Sequence, residues 1–548
     1  MGRAAQKARG AYYTDPTIAA FLVRWAIRSP CDRVLDPCFG EGVFLLAATE
    51  RFAVLGGNPV SSITGIEIDP QAHHTTAQVL SNDGALHTND LICEDFFALD
   101  PSKVGLFTAV VGNPPFIRYQ RFAGAQRARA LAQASRAGVH LTALTSAWAP
   151  FIVHATTFLR PGGRLAMVVP AELCHAAYAR PVLHVLGQRF AQVRVLTFRR
   201  RLFQDLSEDT VLVLGEGYGQ EGNGIRLVSL PDVSALLQDD ALNLKGTPVA
   251  AEAAQREVIR LIAYLLPDRV RQLYHRLIHH PHVIRLGTIA TAGIGYVTGN
   301  NDYFHLSAAE ACELGIPPNL LARAVCRAAW LNGLVFTKKD WRALDREGHK
   351  TRLLNLASLR GAPPRAVEAY RRTGERRNVH TAYKCRVRQP WYIVPHVVVP
   401  DLFLTYMANT RPTLAVNRAR AVAPNTLLCV RLDPLAKVRP EALAASWWTS
   451  LTALSAEIEG HSLGGGMLKL EPGEAVKMVL PFPPLLCQAL RAQGLVAELD
   501  GLIRRKAYDE ALDLGDREIL QPGLGLSGDE CAVLRQGFNS LLDRRRRR

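Results

Sequence analysis

Val34-Leu-Asp-Pro-Cys-Phe-Gly-Glu-Gly-Val-Phe44 is the stretch that decides the fold. An apolar strand runs into an acid, then a tight Gly-x-Gly turn, then the apolar start of a helix. Gly40 and Gly42 permit positive φ and a close approach of backbone to a ligand, and the helix behind them offers free N–H groups. Leu45 stands where a third glycine would complete G-x-G-x-x-G, which argues against a dinucleotide pyrophosphate cradle. The alternation continues on both sides. Ser62–Ile68, Phe107-Thr-Ala-Val-Val-Gly112, Arg164–Val169, Val193–Phe198 and Thr210–Leu214 are strand-like, and the near-continuously apolar 107–112 run is expected at the centre of a parallel sheet. Leu141 to Leu159 is expected as a helix stopped by Arg160-Pro-Gly-Gly163. This is the pattern of a three-layer α/β domain.

Two further acids follow the first at strand ends. Gly65-Ile-Glu-Ile-Asp-Pro70 puts Glu67, with Ile68 beside it, where a carboxylate reaches ribose hydroxyls in such sheets. Cys93-Glu-Asp-Phe-Phe97 puts Asp95 where it can accept from an exocyclic amine of adenine, with Phe96 expected to cover the ring. Asp36, Glu67 and Asp95 thus outline one ligand: a methionine end, a ribose and an adenine.

Val111-Gly-Asn-Pro-Pro-Phe-Ile-Arg-Tyr119 follows the central strand. An exocyclic aryl amine is a poor nucleophile because its lone pair is delocalised into the ring. If Asn113 Oδ1 and the Pro114 carbonyl each accept one N–H, the nitrogen is drawn toward sp3 and its lone pair faces a sulfonium methyl. Pro114 and Pro115 stiffen the loop and preorganise the acceptors. Phe116 would stack on a base extruded from its helix.

The motifs in this order resemble the N6-adenine DNA methyltransferases of the gamma arrangement, in which cofactor motifs come first, the catalytic motif next and a target-recognition domain last. Gly10-Ala-Tyr-Tyr-Thr-Asp-Pro16 is similar to the family's N-terminal motif, whose threonine, Thr14 here, lies against the methionine end of the cofactor. Leu202–Thr210 is similar to a later motif whose aromatic, Phe203 here, covers the other face of the flipped base. Thr298–Phe304, Asn417 with Pro424-Asn-Thr426, and Gly464–Leu470 with Val479–Pro481 resemble pieces of the recognition domain. Many members carry Tyr where this chain has Phe116; stacking survives that change.

The resemblance implies a Rossmann-like class I methyltransferase sheet, with helices on both faces, over residues 1–245. A mixed α+β target-recognition domain follows over 246–490, then a helical extension with a basic tail over 491–548. It implies S-adenosyl-L-methionine as cofactor, held by Thr14, Asp36, Pro37, Cys38, Phe39, Gly40, Gly42 and Phe44, by Glu67, Ile68, Asp95 and Phe96, and by Asn113 and Pro115. Asn113, Pro114, Pro115, Phe116 and Phe203 would serve catalysis at N6 of a flipped adenine. The expected partner is double-stranded DNA, in a prokaryotic cytosol or nucleoid, the enzyme a monomer that modifies the site of a separate cognate restriction endonuclease. Methylation of RNA or of a protein glutamine, which uses the same Asn-Pro-Pro-aromatic chemistry, and a silent DNA-binding homologue are the alternatives. The basic C-terminal half and intact Asp36, Glu67 and Asn113 argue against both. A fused nuclease is not expected, because the first motif begins at Gly10 and no acid–acid–lysine site is evident.

Composition agrees with a polyanionic partner. The 548 residues carry 65 Lys+Arg against 49 Asp+Glu, a net +16. Between Leu321 and Arg420 there are 20 Lys+Arg and 6 Asp+Glu, so nearly all the excess sits in one stretch, where Arg371, Arg372, Arg376 and Arg377 are expected on phosphates. Trp391, Tyr392 and Tyr406 are expected to support the core there. The ten cysteines show no CxxC spacing, so buried reduced thiols and no membrane segment are expected. His275, His279, His280 and His282 lack a completing acid or cysteine nearby, and no metal site is expected. Ala251 to Ile278 reads as helical, and Arg544 to Arg548 as a frayed tail.

Overall fold

A computed structural model describes residues 14–82, 90–176, 178–200, 202, 209–238, 246–249, 260–357, 359, 361–463, 465–487 and 489–546. The chain divides into a unit ending at Leu265 and a second spanning Leu266–Arg546.

The first unit is built on β1 (Val34–Asp36), β2 (Ile63–Glu67), β3 (Leu91–Cys93), β4 (Phe107–Gly112), β5 (Leu159–Pro170), β6 (Phe190–Phe198), β7 (Thr210–Tyr218), β8 (Ile225–Leu230) and β9 (Thr247–Val249). They form one sheet in the order β3-β2-β1-β4-β5-β7-β6-β8-β9. β7 runs antiparallel to both its neighbours and β9 to β8; the other pairings are parallel. The chain winds outward from β1 to β3 and from β4 in the opposite direction. The crevice at the carboxyl ends of β1 and β4 is therefore the topological switch point, where ligands bind in such sheets. Every residue of β4 is buried, which is what its near-continuously apolar sequence predicts for a central strand. Helices α1 (Pro16–Ala26) and α2 (Val43–Leu55) cover one face with a core that includes Trp25, Phe44 and Phe52. Helix α3 (Pro70–Asn82) follows β2. Helices α4 (Gly124–Arg136), α5 (Trp148–Thr156) and α6 (Ala179–Arg189) cover the other face around Phe151, Phe158 and Phe190.

The helix expected over 141–159 is shorter at both ends. Residues ahead of Trp148 form turns, and the Ala147 N–H donates to the Ile117 carbonyl (2.9 Å), so this stretch backs the segment after Asn113-Pro-Pro-Phe116 instead of extending the helix. Leu159 already pairs with Phe107 in β5, and Arg160–Gly163 bulges out before pairing resumes at Ala109–Arg164.

In the second unit, strands Ala290–Ile294, Leu427–Leu432, Leu402–Thr405, Leu414–Asn417 and Val335–Phe336 lie in that order in one sheet. Asn417 clamps the turn that follows: its amide donates to the carbonyls of Pro400 (2.9 Å) and Ala421 (2.8 Å) and accepts from the Ala421 N–H (3.0 Å). Pro424–Thr426 meets the chain just ahead of Thr298–Phe304, through an Asn425 N–H to Tyr296 carbonyl bond (3.0 Å) and a Tyr296–Pro424 bridge. Within the stretch 251–278 expected to be helical, residues 251–259 lie outside the described residues, a 3-10 helix covers Leu261–Leu265, and an α-helix runs Asp268–Ile278 behind Pro267.

The basic tail departs most from expectation. The last helix runs Gly528–Arg546, and Arg545 is 3% exposed. Its guanidinium forms a bidentate pair with buried Glu457 (2.9 and 2.7 Å) and donates to the carbonyls of Asn409, Thr410 and Gly466. A buried arginine whose partners satisfy it on every side is a pin, not a frayed end.

Candidate functional site

The Gly-x-Gly turn after β1 is shaped by contact. Gly42 has φ of +80°, and a Cβ there would lie 2.6 Å from Thr76 Cγ2 on α3. The Thr76 hydroxyl donates to the Gly40 carbonyl (2.8 Å). Glu67, at the end of β2, accepts from the N–H groups of Gly40 (3.0 Å) and Asp69 (2.8 Å), tying the turn to the neighbouring strand. Space opens around Gly40, where an added Cβ would meet nothing within 4 Å. Ile68, next in sequence, is an apolar side chain left 52% exposed at this strand end.

Asp36 is 1% exposed. Its Oδ1 accepts from the Cys38 N–H (3.1 Å), and its Oδ2 is buried without a hydrogen-bond partner. Burial first, then repulsion from Glu67, pushes its carboxyl up to about 8. The adjoining loop shows the same feature. Asn113 Nδ2 donates to the Thr14 hydroxyl (3.1 Å), while Asn113 Oδ1 is buried without a partner. A buried polar atom left unmatched costs about 1–3 kcal/mol, so two on adjoining loops mark a place prepared for ligand groups. Gly112 makes the approach of the two loops possible: a Cβ on it would stand 3.0 Å from Asp36 Oδ1. The Cys38 thiol joins them directly, donating to the Asn113 carbonyl (3.2 Å). Burial, then the charges of Asp36 and Glu67, keep that thiol well above its ordinary range, so it remains a donor.

Hydrogen bonds thus join Thr14, Asn113, Cys38 and Asp36 in one chain, and Gly40, Glu67 and Thr76 in a second at the turn that follows. Pro37, Phe39 and Phe44 are buried behind them, Phe39 and Phe44 in the core under α1 and α2. Pro114 is buried, Pro115 half-buried, and Phe116 packed in the same core as Phe198 and Leu202. Phe203 lies outside the described residues.

One expected contact is placed differently, and another gains a partner. Phe96 is spent on the core, its ring 4.6 Å from His154, 4.8 Å from Phe151 and 5.1 Å from Phe158, so it presents no open face for an adenine. Asp95 caps the turn that follows, accepting from the Phe97 N–H (3.1 Å), and its other oxygen lies 3.1 Å from the Arg129 guanidinium on α4. That contact puts a cation beside the adenine end of the outline, one that sequence spacing gives no means of finding. Among the described residues no group of three or more His, Cys, Asp or Glu could hold a metal ion.

The sheet and this crevice define a class I methyltransferase fold. Residues 1–178 match the family model of the N-6 DNA methylases, and residues 259–520 match the C-terminal domain of type II methyltransferase M.Eco57I. The first third of the chain thus resembles the N-6 DNA methylases, and together with the type II methyltransferase relatives this match supports an adenine-specific DNA methyltransferase. The chain is 23% identical over 493 residues to type II methyltransferase M.XamI of Xanthomonas campestris pv. amaranthicola, across 88% of this chain and 86% of that one. It is 26% identical over 215 residues to type II methyltransferase M.PaeR7I of Pseudomonas aeruginosa, across 34% of this chain and 36% of that one. Among solved structures, that of a DrdV–DNA complex resembles it in fold, with a TM-score of 0.52 at 11% identity, over 91% of this chain and 58% of that one.

Two outcomes are expected. The Asp36 carboxyl titrates at about 8 in the fold against 3.8 ordinarily, so its protonation stabilises the ligand-free fold fully below about 4, and that contribution is lost as pH rises toward 8. Asp36→Asn should therefore gain thermal stability relative to the parent between pH 5 and pH 8; an unchanged difference in melting temperature would remove this account of Asp36. Cys38→Ala should lower kcat several-fold with little change in KM for cofactor, and Cys38→Ser should restore it. Equal rates for Ala and Ser would show that the thiol bond does no positioning.

Proposed function

We propose that the protein transfers a methyl group from S-adenosyl-L-methionine to N6 of an adenine flipped out of duplex DNA, as the modification enzyme of a restriction–modification system. The observation that carries this reading is the pair of buried, unmatched oxygens, Asn113 Oδ1 and Asp36 Oδ2, held together through Cys38.

The residues present fit the cofactor. Asp36 Oδ2 is an acceptor placed for the ammonium of the methionine end, with Thr14 at the same end. Glu67, at the end of β2, would accept from the ribose hydroxyls. Ile68 offers an exposed apolar surface to the adenine ring, and Asp95 accepts from its amine. When bound, the cofactor supplies an electrophilic methyl on a sulfonium.

The protein's own contribution is to bind and orient the amine. Asn113 Oδ1 and the Pro114 carbonyl accept hydrogen bonds from its two N–H groups and turn its lone pair out of the ring; they are preorganised, so little reorganisation is required as charge develops. Phe116 and Phe203 hold the extruded base. No strong base is needed, because an amine that gains a methyl becomes acidic and surrenders its proton to solvent. The second unit, with its basic 321–420 stretch, reads the duplex. The enzyme works as a monomer in a prokaryotic cytosol, and cleavage belongs to a separate endonuclease. No helix among the described residues is long and apolar enough to cross a membrane.

Methyl transfer from labelled cofactor to duplex DNA, RNA and protein in parallel should label DNA, at N6 of adenine. Label in RNA or protein with inert DNA would overturn the reading. Asn113→Ala should leave cofactor affinity nearly intact and slow transfer roughly 10²-fold or more, whereas Glu67→Ala should weaken cofactor binding. Exchanged phenotypes would refute the assignment.

A further inference from the structure

The basic stretch of the second unit is not uniformly available to phosphate. Arg371, on the helix Arg365–Arg376, is held by Glu368 (2.7 Å) and Glu375 of the same helix, so its charge is already matched. Between Arg371 and Arg388 there are seven Lys and Arg against one Glu, and Arg372, Arg376, Arg377, Lys384 and Arg386 are exposed.

The single helical turn Tyr383–Arg386 stands out within this stretch because it is fixed from one side and bare on the other. Cys385 is fully buried, and its thiol donates to the Thr298 carbonyl (3.5 Å). Arg388 donates to that carbonyl (2.8 Å) and to the Val297 carbonyl. The receiving loop is itself set: Thr298 Oγ1 donates to Asn301 Oδ1 (2.6 Å), and Gly299 has φ of +88°, where a Cβ would lie 2.9 Å from Cys385 Sγ. On the bare side Tyr383 is 64% exposed and Val387 61% exposed. The Lys384 ammonium lies 5.5 Å and the Arg386 guanidinium 6.0 Å from the Tyr383 ring centroid.

Two large apolar side chains held in water on a clamped backbone gain nothing from the fold, and the cations around them select an anionic partner. We propose that this turn is a DNA-reading element: Tyr383 and Val387 contact base edges in a groove of the duplex, while Lys384 and Arg386 hold the phosphates alongside. The cations position the element and carry no sequence information; the apolar pair discriminates between bases. Because the backbone is clamped by Cys385 and Arg388, the element enters without a large ordering cost. The inference rests on the reading of the protein as a DNA methyltransferase and adds which residues meet the bases.

The test uses the full chain with duplex DNA containing its methylation site. In Lys384→Ala/Arg386→Ala, DNA affinity should fall on target and non-target duplexes alike, and the slope of log affinity against log salt should shrink by about two. In Tyr383→Ala/Val387→Ala, affinity should fall roughly tenfold or more on the target duplex alone, and the methylated sequence should relax at one or more positions. Cofactor affinity, read on the same samples, should be unchanged in both, which shows that the variants are folded. Parental affinity, salt slope and methylated sequence in both double variants would overturn the inference while leaving the methyltransferase reading standing. A parent chain that methylates RNA or protein and ignores DNA would overturn both.

Discussion

The buried carboxylate of Asp36 at the end of β1 is the constraint around which the first unit is arranged. It stands at the point where the sheet changes winding direction, with one oxygen spent on the Cys38 N–H and the other on nothing. Burial beside Glu67 makes its ionised form unfavourable until a cation arrives. The turn that follows is shaped by Gly42 and Thr76, tied to β2 through Glu67, and joined to the loop after β4 through Cys38. Each link brings Asn113 and its own unmatched oxygen closer to the same crevice. A fold that leaves two such atoms inside gives up stability for a site already shaped before its ligands enter.

The two units divide the work as their chemistry suggests. The first contributes acceptors: carboxylates, an amide oxygen and backbone carbonyls around one crevice. The second contributes cations and buried clamps. Asn417 and Arg388 spend their donors on backbone carbonyls of the second unit, and Arg545 spends its donors on Glu457 and on such carbonyls, fixing turns and a terminus that sequence alone would leave loose. That rigidity is what a surface must have if it is to discriminate between base edges.

The sheet was legible because each strand carries its own signature. The near-continuously apolar run of β4 and the acids closing β1 and β2 are read directly from residue type and position. Asn113 stands out in the sequence because two prolines follow it after a central strand, and the structure buries its Oδ1 without a partner. What failed depended on which side of the chain a residue faces. Phe96 follows an acid at a strand end, as a ring-covering residue would, yet it turns into the core among Phe151, His154 and Phe158. The stretch before Trp148 has helical composition but is pinned to the loop after Asn113 by one backbone bond, a contact between residues 30 positions apart that local pattern does not carry. Arg545 looked like a charged tail because Glu457, its partner, is 88 residues away.

The most direct measurement is a structure of the full chain with a non-reactive cofactor analogue and a duplex bearing its methylation site. The account predicts Asn113 Oδ1 within about 3 Å of the amino nitrogen of an everted adenine, and Asp36 Oδ2 within about 3 Å of the analogue's ammonium. An adenine still stacked in the duplex, or either oxygen turned to a protein donor while the ligands sit elsewhere, would contradict it.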